Sequence, residues 1–390
     1  MNSDEAKILE QERIQIVRDA VAMKGAPKRV AILDSTFTWK IMDQGYTLSE
    51  AIYDYGIMEK VVRGHQERYQ CDLVRDVGTR NGFQIIKNWT EPRYVVDDVN
   101  GSLNAPDMII MNPDEYDELA EDRLKFIWTK ALPRRFPMLK HSTKEEISGL
   151  IRGMQEYFAF GGKMNAVLKN EYGVPSIAKY ALAGSGHENI VNKFRGIAGT
   201  SVDARRNPKG MLKVIEMYAE KDIYPAIQQI RSDPGQDLNY AFDCQGGMLT
   251  HSILSPSQFD KFYWPWMKQG LDALADTGKT MYLFIQSDIK RFIPHFRDYP
   301  KGMLCMHLEI DDPYEIRREL PNVCICGGVP IALLGSGTKE QVIEYAKRLI
   351  NELGQDGGFI LSTDKILSFR NDAKRENLIA LYEFVREYKG

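Results

Sequence analysis

Polar side chains that could take part in catalysis follow short apolar runs in the C-terminal part of the chain. Gln286 and Asp288 end one such run, Glu309 lies near the end of the next, and Asp364 ends another. A carboxylate in this position must face water, a metal ion or a cationic partner, because burying it without compensation is costly. The residues therefore predict an oxygen-rich site, although by themselves they define no reaction.

Each of these side chains also has a simple structural interpretation. Asp288 could cap the helix that follows it, since aspartate is a common N-cap residue. Glu309 could pair with a neighbouring arginine, and Asp364 could pair with Lys365, the next residue. The sequence alone leaves both kinds of interpretation open.

Sulfur and imidazole groups add further candidates. Cys324 and Cys326 share one face of an apolar run, because side chains alternate along a strand, and free cysteines are commonly buried packing residues. The alternative is that Cys326 provides a thiolate at the strand end, just before two glycines. His251, which follows a Gly-Gly turn at a predicted strand end, is the best candidate among the histidines. The other histidines are expected to be structural (His295) or to lie at the surface (His65, His141 and His187).

The runs that carry these residues predict β-strands. Short apolar runs bounded by glycine, proline or aspartate are typical of buried parallel strands. Of the four such runs after residue 279, the first three are each followed by a helical pattern. The predicted strands span residues 30–34, 71–78, 176–183, 238–244, 280–288, 302–311, 322–329 and 358–364. Strands that alternate with helices predict a (β/α)8 barrel, in which the C-terminal strand ends form the active-site face. We therefore expect the candidate residues to converge there.

Two segments lie outside this alternation. Residues 1–26 are expected to form a helical N-terminal extension that packs across the outside or bottom of the barrel. Residues 82–106 are rich in turn residues and are interpreted as an excursion over the barrel mouth. We expect the whole chain, residues 1–390, to form one domain.

Composition excludes several classes of function. A hydrophobic content of 43%, a charged content of 27% and a net charge of −3 are ordinary for a globular protein and give no electrostatic footprint for nucleic acid. No apolar stretch approaches the roughly 20 residues that span a bilayer, and the N-terminus lacks a signal-peptide core. Five cysteines, an odd number and mostly in apolar runs, indicate reduced thiols. These observations predict a cytoplasmic protein.

Several segments in order resemble the uroporphyrinogen decarboxylase superfamily. Residues 255–268 (SPSQFDKFYWPWMK) resemble its SP-x-x-F-x-x-F-x-x-P-x-x-K helix, and residues 114–134 are similar to a segment of its methyltransferase-like members. Similar segments also occur at 326–342, 357–362 and 376–388. The resemblance covers roughly residues 27–388 and implies a distorted (β/α)8 TIM barrel with an open cleft at its C-terminal face.

The decarboxylase branch of the superfamily is only weakly supported. True decarboxylases have an arginine-rich PxWxMRQAGR-like signature that binds the substrate carboxylates, whereas the corresponding residues here read AILDSTFTWKIMDQGY and contain no arginine. Asp76 falls near the aspartate with which the family binds pyrroles, which keeps this branch as an alternative.

The other branch comprises cobamide-dependent methyltransferases, which use zinc. Their thiol-activating members carry His-x-Cys on one strand and a later Cys at the last strand end. Here Gln286-Ser287-Asp288 and Asp364 stand at those places. Oxygen ligands make a more Lewis-acidic zinc site than sulfur ligands, which would suit an ether or amine as methyl donor. The resemblance thus implies Asp288, Glu309 and Asp364 as metal ligands, with Gln286 at the substrate.

The leading hypothesis is a corrinoid-dependent methyltransferase that moves a methyl group from a small O-methyl or N-methyl substrate to a corrinoid protein, with zinc activation. Asp288, Glu309 and Gln286 would be its catalytic residues. The residues expected to bind substrate around them are Asp34, Asp76, His251 and Cys326. The alternatives are a metal-free decarboxylase and a non-catalytic binding protein, because a fold does not determine a function. Barrels of this size often self-associate, so a homodimer is also expected.

Overall fold

The computed structural model describes residues 2–25, 27–78, 95–104, 107–140 and 143–388. Eight of its strands form one parallel sheet in the order β2-β1-β10-β9-β8-β7-β6-β5, and the other two form a small antiparallel hairpin. The strands are β1 (Ala31–Asp34), β2 (Leu73–Val74), β3 (Val95–Asp97), β4 (Ser102–Asn104), β5 (Ala178–Ala181), β6 (Phe242–Met248), β7 (Met281–Ile285), β8 (Leu304–Leu308), β9 (Cys324–Val329) and β10 (Phe359–Thr363). The curved sheet with its surrounding helices is a distorted (β/α)8 barrel, as predicted.

Helices connect the strands and cover the outer face of the sheet. Side-chain caps begin three of these helices: Ser255 accepts from the amide of Gln258, Asp312 from that of Tyr314, and Thr338 caps the helix before β10. The helices, including short 3-10 and π turns, are Ser3–Ala22, Trp39–Asp43, Leu48–Ile52, Tyr55–Tyr69, Tyr116–Glu121, Arg123–Phe126, Ile127–Ala131, Leu132–Arg135, Pro137–Lys140, Lys144–Tyr172, His187–Asn189, Ile190–Arg195, Gly196–Arg206, Pro208–Tyr218, Ala219–Ile223, Tyr224–Ser232, His251–Ile253, Pro256–Phe262, Trp264–Thr277, Lys290–Phe296, Pro313–Glu319, Ile331–Ser336, Lys339–Leu353 and Arg375–Glu387. Among the helices of the described residues, none combines the length and apolar character needed to cross a bilayer.

The barrel interior is filled by alternate residues of the parallel strands. Parallel pairing sets Phe284 of β7 beside His307 of β8, and His307 beside Cys326 of β9. Side chains two residues apart along a strand share a face, so these three side chains and those two residues away from them point inward. The inward-facing buried side chains are Ala31, Leu33, Leu73, Phe242, Tyr282, Phe284, Cys305, Cys324, Cys326 and Ile360. Cys305, Cys324 and Cys326 therefore lie inside the barrel, where packing residues would lie.

The N-terminal helix Ser3–Ala22 closes the bottom of the barrel. Its Ile16, Val17, Ala20 and Val21 belong to the same apolar cluster as the inward-facing strand residues. Arg18 of this helix donates to the carbonyl of Tyr240 at 2.9 Å and lies 3.5 Å from the Asp243 carboxylate. The helix thus lies at the bottom of the barrel, one of the two positions expected for it, and the opposite end of the barrel is left for ligands.

Two predicted strands differ from the observed ones. The strand predicted at 238–244 starts only at Phe242, because Asp237 forms a turn by accepting hydrogen bonds from the backbone and side-chain amides of Asn239. Asp243 and Cys244 therefore lie at the beginning of β6 instead of its end. The strand predicted at 71–78 is only two residues long, which leaves Asp76 in the loop that follows. Of the segment predicted to cross the mouth, residues 82–94 and 105–106 lie outside the described residues, and the rest contains the hairpin.

Candidate active site at the barrel mouth

Four carboxyl groups follow β7, β8 and β10 at the C-terminal end of the barrel, where β9 lies between β8 and β10. Asp288 follows β7, Glu309 and Asp311 follow β8, and Asp364 follows β10; we call these four residues the acid row. Burial raises the pKa of Asp311 to about 6, and the nearby charge of Asp288 adds to the shift. Burial also raises the pKa of Asp364, with a smaller contribution from Glu309. The structure thus places the three acids predicted from the sequence at the same end of the barrel and adds Asp311.

Three members of the acid row hold the loops that follow the strands. Glu309 accepts from the amide of Ser287 at 2.6 Å, Asp311 from that of Ile289 at 2.8 Å, and Asp364 from that of Ile331 at 2.9 Å. Ser287 has a φ of 66°, a conformation that non-glycine residues adopt at a cost of about 1–2 kcal/mol. The Glu309 carboxylate supports that conformation. Each of the three acids therefore has one oxygen engaged by the backbone.

Asp311 has a buried oxygen that makes no hydrogen bond. Its Oδ2 accepts from Ile289, whereas its Oδ1 is buried without a partner. A protonated carboxyl group is the form that tolerates such a position, because it carries no charge. Sequence analysis missed Asp311, although a second acid two residues after Glu309 was a visible signal for it.

His251 and Gln286 have different surroundings from those of the acid row. His251 is buried, and its Nε2–H donates to the backbone carbonyl of Asp288 at 2.9 Å. Burial lowers its pKa, so the ring is neutral and supports the loop that carries Asp288. Gln286 is exposed, and only its backbone amide is fixed, by a 3.0 Å bond to the carbonyl of Met248. Its side chain is accessible to a ligand.

A chain of hydrogen bonds crosses the barrel just below the mouth. The Tyr282 hydroxyl donates to Nδ1 of His307 at 2.7 Å, and Nε2–H of His307 donates to the Thr363 carbonyl at 3.1 Å. Burial, together with the nearby charge of Arg75, lowers the pKa of His307 to about 3. Gly327 borders this ring: a β-carbon there would lie 3.4 Å from its Cδ2, and its φ of 115° favours glycine. The His307 ring is thus neutral, held in place by two hydrogen bonds, and lies at the bottom of the mouth.

Arg75 extends into the mouth from the loop after β2. Its guanidinium carbon lies 4.0 Å from the centre of the Phe284 ring, 5.6 Å from that of Phe37 and 6.0 Å from that of Tyr282. Its Nη1 is buried without a hydrogen-bond partner. Arg75 was not predicted from the sequence, because the family signature places carboxylate-binding arginines in the segment that corresponds to the end of β1 and the residues after it.

Two cavities adjoin Arg75. The larger, of about 540 Å³, lies over the ends of β5, β6 and β7. The smaller, of about 260 Å³, lies between the edge strands β2 and β5. Both are lined by Arg75, Ile177 and Gln245, and the larger also by Tyr282 and Phe284. The two cavities therefore offer space for a ligand beside Arg75.

Three residues predicted to bind substrate lie away from these cavities. Asp34 is buried on the outer face of β1, where the Thr36 hydroxyl donates to it at 2.6 Å and His65 Nε2 lies 3.2 Å away. Asp76 forms a 3.3 Å ion pair with buried Lys40. Cys326 is enclosed in the barrel interior. None of the three lines either cavity.

The arrangement of potential metal ligands differs from the expectation. In the described part of the chain, the only three ligand atoms within 4.8 Å of one another belong to Asp34, His65 and Cys71, which we call the Asp34 cluster. Asp288, Glu309 and Asp364 do not meet this condition, so the predicted zinc ligands do not form a preassembled site. The Asp34 cluster offers donor types that zinc accepts. However, its Asp34 and His65 atoms are within hydrogen-bonding distance, and all three residues are buried away from the cavities.

Two predictions about histidines are wrong. His65 and His187 were expected at the surface, but both are buried. His65 contacts Asp34 behind the sheet, and His187 Nδ1 lies 2.8 Å from the Thr250 hydroxyl. The structural role expected for His295 fits its 2.7 Å contact with Asp260. His141 lies outside the described residues.

Comparisons with known proteins agree with this architecture. The family model for uroporphyrinogen decarboxylase (URO-D) matches residues 177–388, more than half of the chain. The comparison with curated proteins gives no significant match. One matching solved structure is a methyltransferase from Methanosarcina mazei, with 14% sequence identity, a TM-score of 0.57, and coverage of 95% of this chain and 97% of that chain. At this identity the likeness shows the shared fold.

Proposed function

The chain belongs to the uroporphyrinogen decarboxylase family, and from that premise we propose that it is a methyltransferase. The reaction would move a methyl group from a small O-methyl or N-methyl substrate, bound in the barrel mouth, to a corrinoid on a partner protein. The bound corrinoid would supply the nucleophile that accepts the methyl group. The fold that the chain shares with a Methanosarcina methyltransferase supports this proposal.

The observation that carries the proposal is the acid row, in which burial raises the pKa of one member, Asp311. Breaking a methyl–oxygen or methyl–nitrogen bond leaves both bonding electrons on the departing atom, which then needs a proton. The pKa of Asp311 is raised to about 6, and a proton donor works best with a pKa near the operating pH. Half-exposed Asp288 lies beside it, open to a ligand. We assign proton donation to this pair and positioning of the loop to Glu309.

The same acid row argues against decarboxylation of a tetrapyrrole with several carboxylates. Such a substrate needs several cations, whereas the two cavities in the described part of the mouth are lined by one cationic side chain, Arg75. Asp222 lines the larger cavity, Glu309 and Asp364 lie near enough to His307 to affect its titration, and like charges repel a polyanion. The runner-up function is therefore less consistent with the site.

Zinc does not enter the proposed steps. The ligands implied by the resemblance, Asp288, Glu309 and Asp364, do not offer three oxygen atoms within 4.8 Å of one another, and two of them already accept backbone hydrogen bonds. A zinc ion in the Asp34 cluster would have no position open to a substrate in the mouth. The chain's own residues account for binding, orientation and proton donation.

The test is methylation of free cob(I)alamin under anaerobic conditions, followed by the absorbance of methylcobalamin. We expect protein-dependent methylation from at least one member of a panel of small methyl ethers and methylamines. Asp311→Asn should lower this rate by about 100-fold, the usual contribution of general acid catalysis. The matched control is Asp312→Asn, which changes the adjacent exposed acid and keeps a good N-cap for its helix. A folded wild-type protein that methylates nothing from the panel, or an Asp311→Asn rate equal to that of Asp312→Asn, would contradict the proposal.

Metal content tests the zinc prediction separately. Protein purified without chelator should contain well under one zinc per chain. Stoichiometric zinc that is lost in Asp288→Ala/Asp364→Ala, but retained in Cys71→Ser, would establish the ligand set implied by the resemblance and overturn our assignment.

A further inference from the structure

Arg75 differs from the buried arginines elsewhere in the chain. Arg13 pairs with Asp72, Arg18 donates to three oxygen atoms and lies beside Asp243, and Arg195 pairs with Asp203 at 2.5 Å. Among the described residues no carboxylate pairs with Arg75, and its buried Nη1 has no hydrogen-bond partner. A guanidinium group is costly to bury unless its charge and its donors are satisfied.

Within the part of the chain that the structure describes, the neighbours of Arg75 do not supply the missing partner. Asp222, which lines the larger cavity with Arg75, pairs with Arg123 at 2.6 Å. The nearest acid in sequence, Asp76, is engaged with Lys40 through its carboxylate at 3.3 Å and its carbonyl at 2.7 Å. The faces around the guanidinium are the rings of Phe37, Tyr282 and Phe284. Aromatic faces attract a cation but accept no planar pair of hydrogen bonds. The donors of Arg75 are therefore directed to a ligand in the adjoining cavities.

We propose that Arg75 binds a carboxylate of the substrate and thereby sets the specificity of the site for a methylated carboxylic acid. Guanidinium and carboxylate match in geometry and form two parallel charge-assisted hydrogen bonds. The cavity of about 540 Å³ is in the range that holds small ligands, and its Leu182, Leu249 and Phe284 suit an apolar body. The assignment of the methyl group to this acid rests on the proposed function, whereas its binding to Arg75 does not.

A single negative charge fits the surroundings better than a phosphate. Arg75 provides one positive charge, and the charges of Glu309 and Asp364 lie near enough to His307 on the same side of the mouth to affect its titration. A dianion would be repelled by these acids without a second cation to balance it. Carboxylate is thus the anion that the mouth accommodates.

Binding of benzoate and benzamide, two isosteric probes, tests the proposal without any methyl transfer. We expect wild-type protein to bind benzoate about 10- to 100-fold more tightly than benzamide in calorimetry, the difference expected for hydrogen bonds to a charged group. Inorganic phosphate should compete weakly. Arg75→Gln should abolish the preference for benzoate, and Arg75→Lys should retain part of it. Lys365→Gln, which removes an exposed cation after β10, should leave the preference unchanged.

Thermal unfolding separates a binding role from a structural one. If Arg75 serves a ligand, Arg75→Met should have a Tm equal to or above that of the wild type, because it removes a half-buried charge whose Nη1 has no hydrogen-bond partner. Benzoate should raise the Tm of the wild type and not that of the variant. Equal affinities for benzoate and benzamide in the wild type, absence of benzoate binding, a preference for phosphate, or a marked loss of Tm in Arg75→Met would each overturn the proposal. Failure of cobalamin methylation with intact benzoate binding would instead refute the proposed reaction alone.

Discussion

The acid row and the Asp34 cluster contain similar chemical groups in opposite surroundings. The Asp34 cluster lies behind the sheet, where Thr36, His65 and Tyr382 contact both oxygens of Asp34 and no cavity adjoins it. The acid row lies at the open end of the barrel, where Asp311 keeps an unpartnered oxygen. Ligand types alone would favour the cluster as a metal centre, yet only the acid row has both access and incomplete hydrogen bonding. We therefore place the function at the acid row and assign a structural role to the Asp34 cluster.

The pKa shifts of the two regions have opposite directions. Burial alone would raise the pKa of Asp34, but the charge and hydrogen bond of His65, with help from Lys40 and Thr36, hold it below its ordinary value. Asp311 lacks such partners, and its pKa rises to about 6. Asp34 therefore stabilises the fold as an anion, whereas ionised Asp311 destabilises it.

The largest effect is expected for breaking the Asp34 cluster. Asp34→Ala should lower the free energy of unfolding by about 3 kcal/mol or more, since it leaves His65 and two hydroxyl groups buried without their shared acceptor. Urea unfolding at pH 7 measures this. A loss below about 1 kcal/mol would show that the cluster contributes little to the fold. Asp288→Ala at the mouth is the matched control and should change stability much less.

The two aspartates should also respond differently to pH. Asp34 contributes stability above its unfolded pKa of about 4, and this contribution is lost as the pH falls further. For Asp311 the folded protein binds the extra proton, so wild-type stability should decrease as the pH rises from about 4 through 6. Asp311→Asn should lack that decrease and be more stable than the wild type at pH 7. Parallel stability curves for the two proteins between pH 4 and 7 would contradict the raised pKa.

The smallest effect on stability is expected for Gln286→Ala. The side chain is exposed and only its backbone amide is fixed, so the free energy of unfolding should change by less than about 0.5 kcal/mol. If Gln286 contacts the substrate, KM in the cobalamin assay should rise while stability stays constant. An unchanged KM would remove Gln286 from the site.

The sequence predicted the barrel well, because short apolar runs and helix caps are local signals. The runs that became β7 to β10 were recognisable from their bounding residues, and the cap at Ser255 followed from three positions. The start of β6 was predicted four residues too early, because a turn at Asp237 precedes the strand and its hydrogen bonds have no strong sequence pattern.

The site was predicted only in part, because it depends on which face each residue occupies. Asp34 and Asp311 look alike in sequence, as acids that close an apolar run. Their roles separate only when His65 and Tyr382 are seen to meet Asp34 from helices distant in the chain. Arg75 is recognisable as a site residue only from its contacts with Phe37, which follows β1, and Phe284, which lies in β7. No local sequence pattern indicates these contacts.

The buried cysteines of the barrel interior provide a way to measure how often the bottom of the barrel opens. All five cysteines are buried, and burial raises the thiol pKa of Cys71, Cys305 and Cys324 well above the ordinary value. Thiolates, not thiols, react with alkylating reagents. Cys305 and Cys324 lie in the barrel, directly above the N-terminal helix that plugs it. The rate at which they are alkylated therefore reports how often that helix detaches, independently of any event at the mouth.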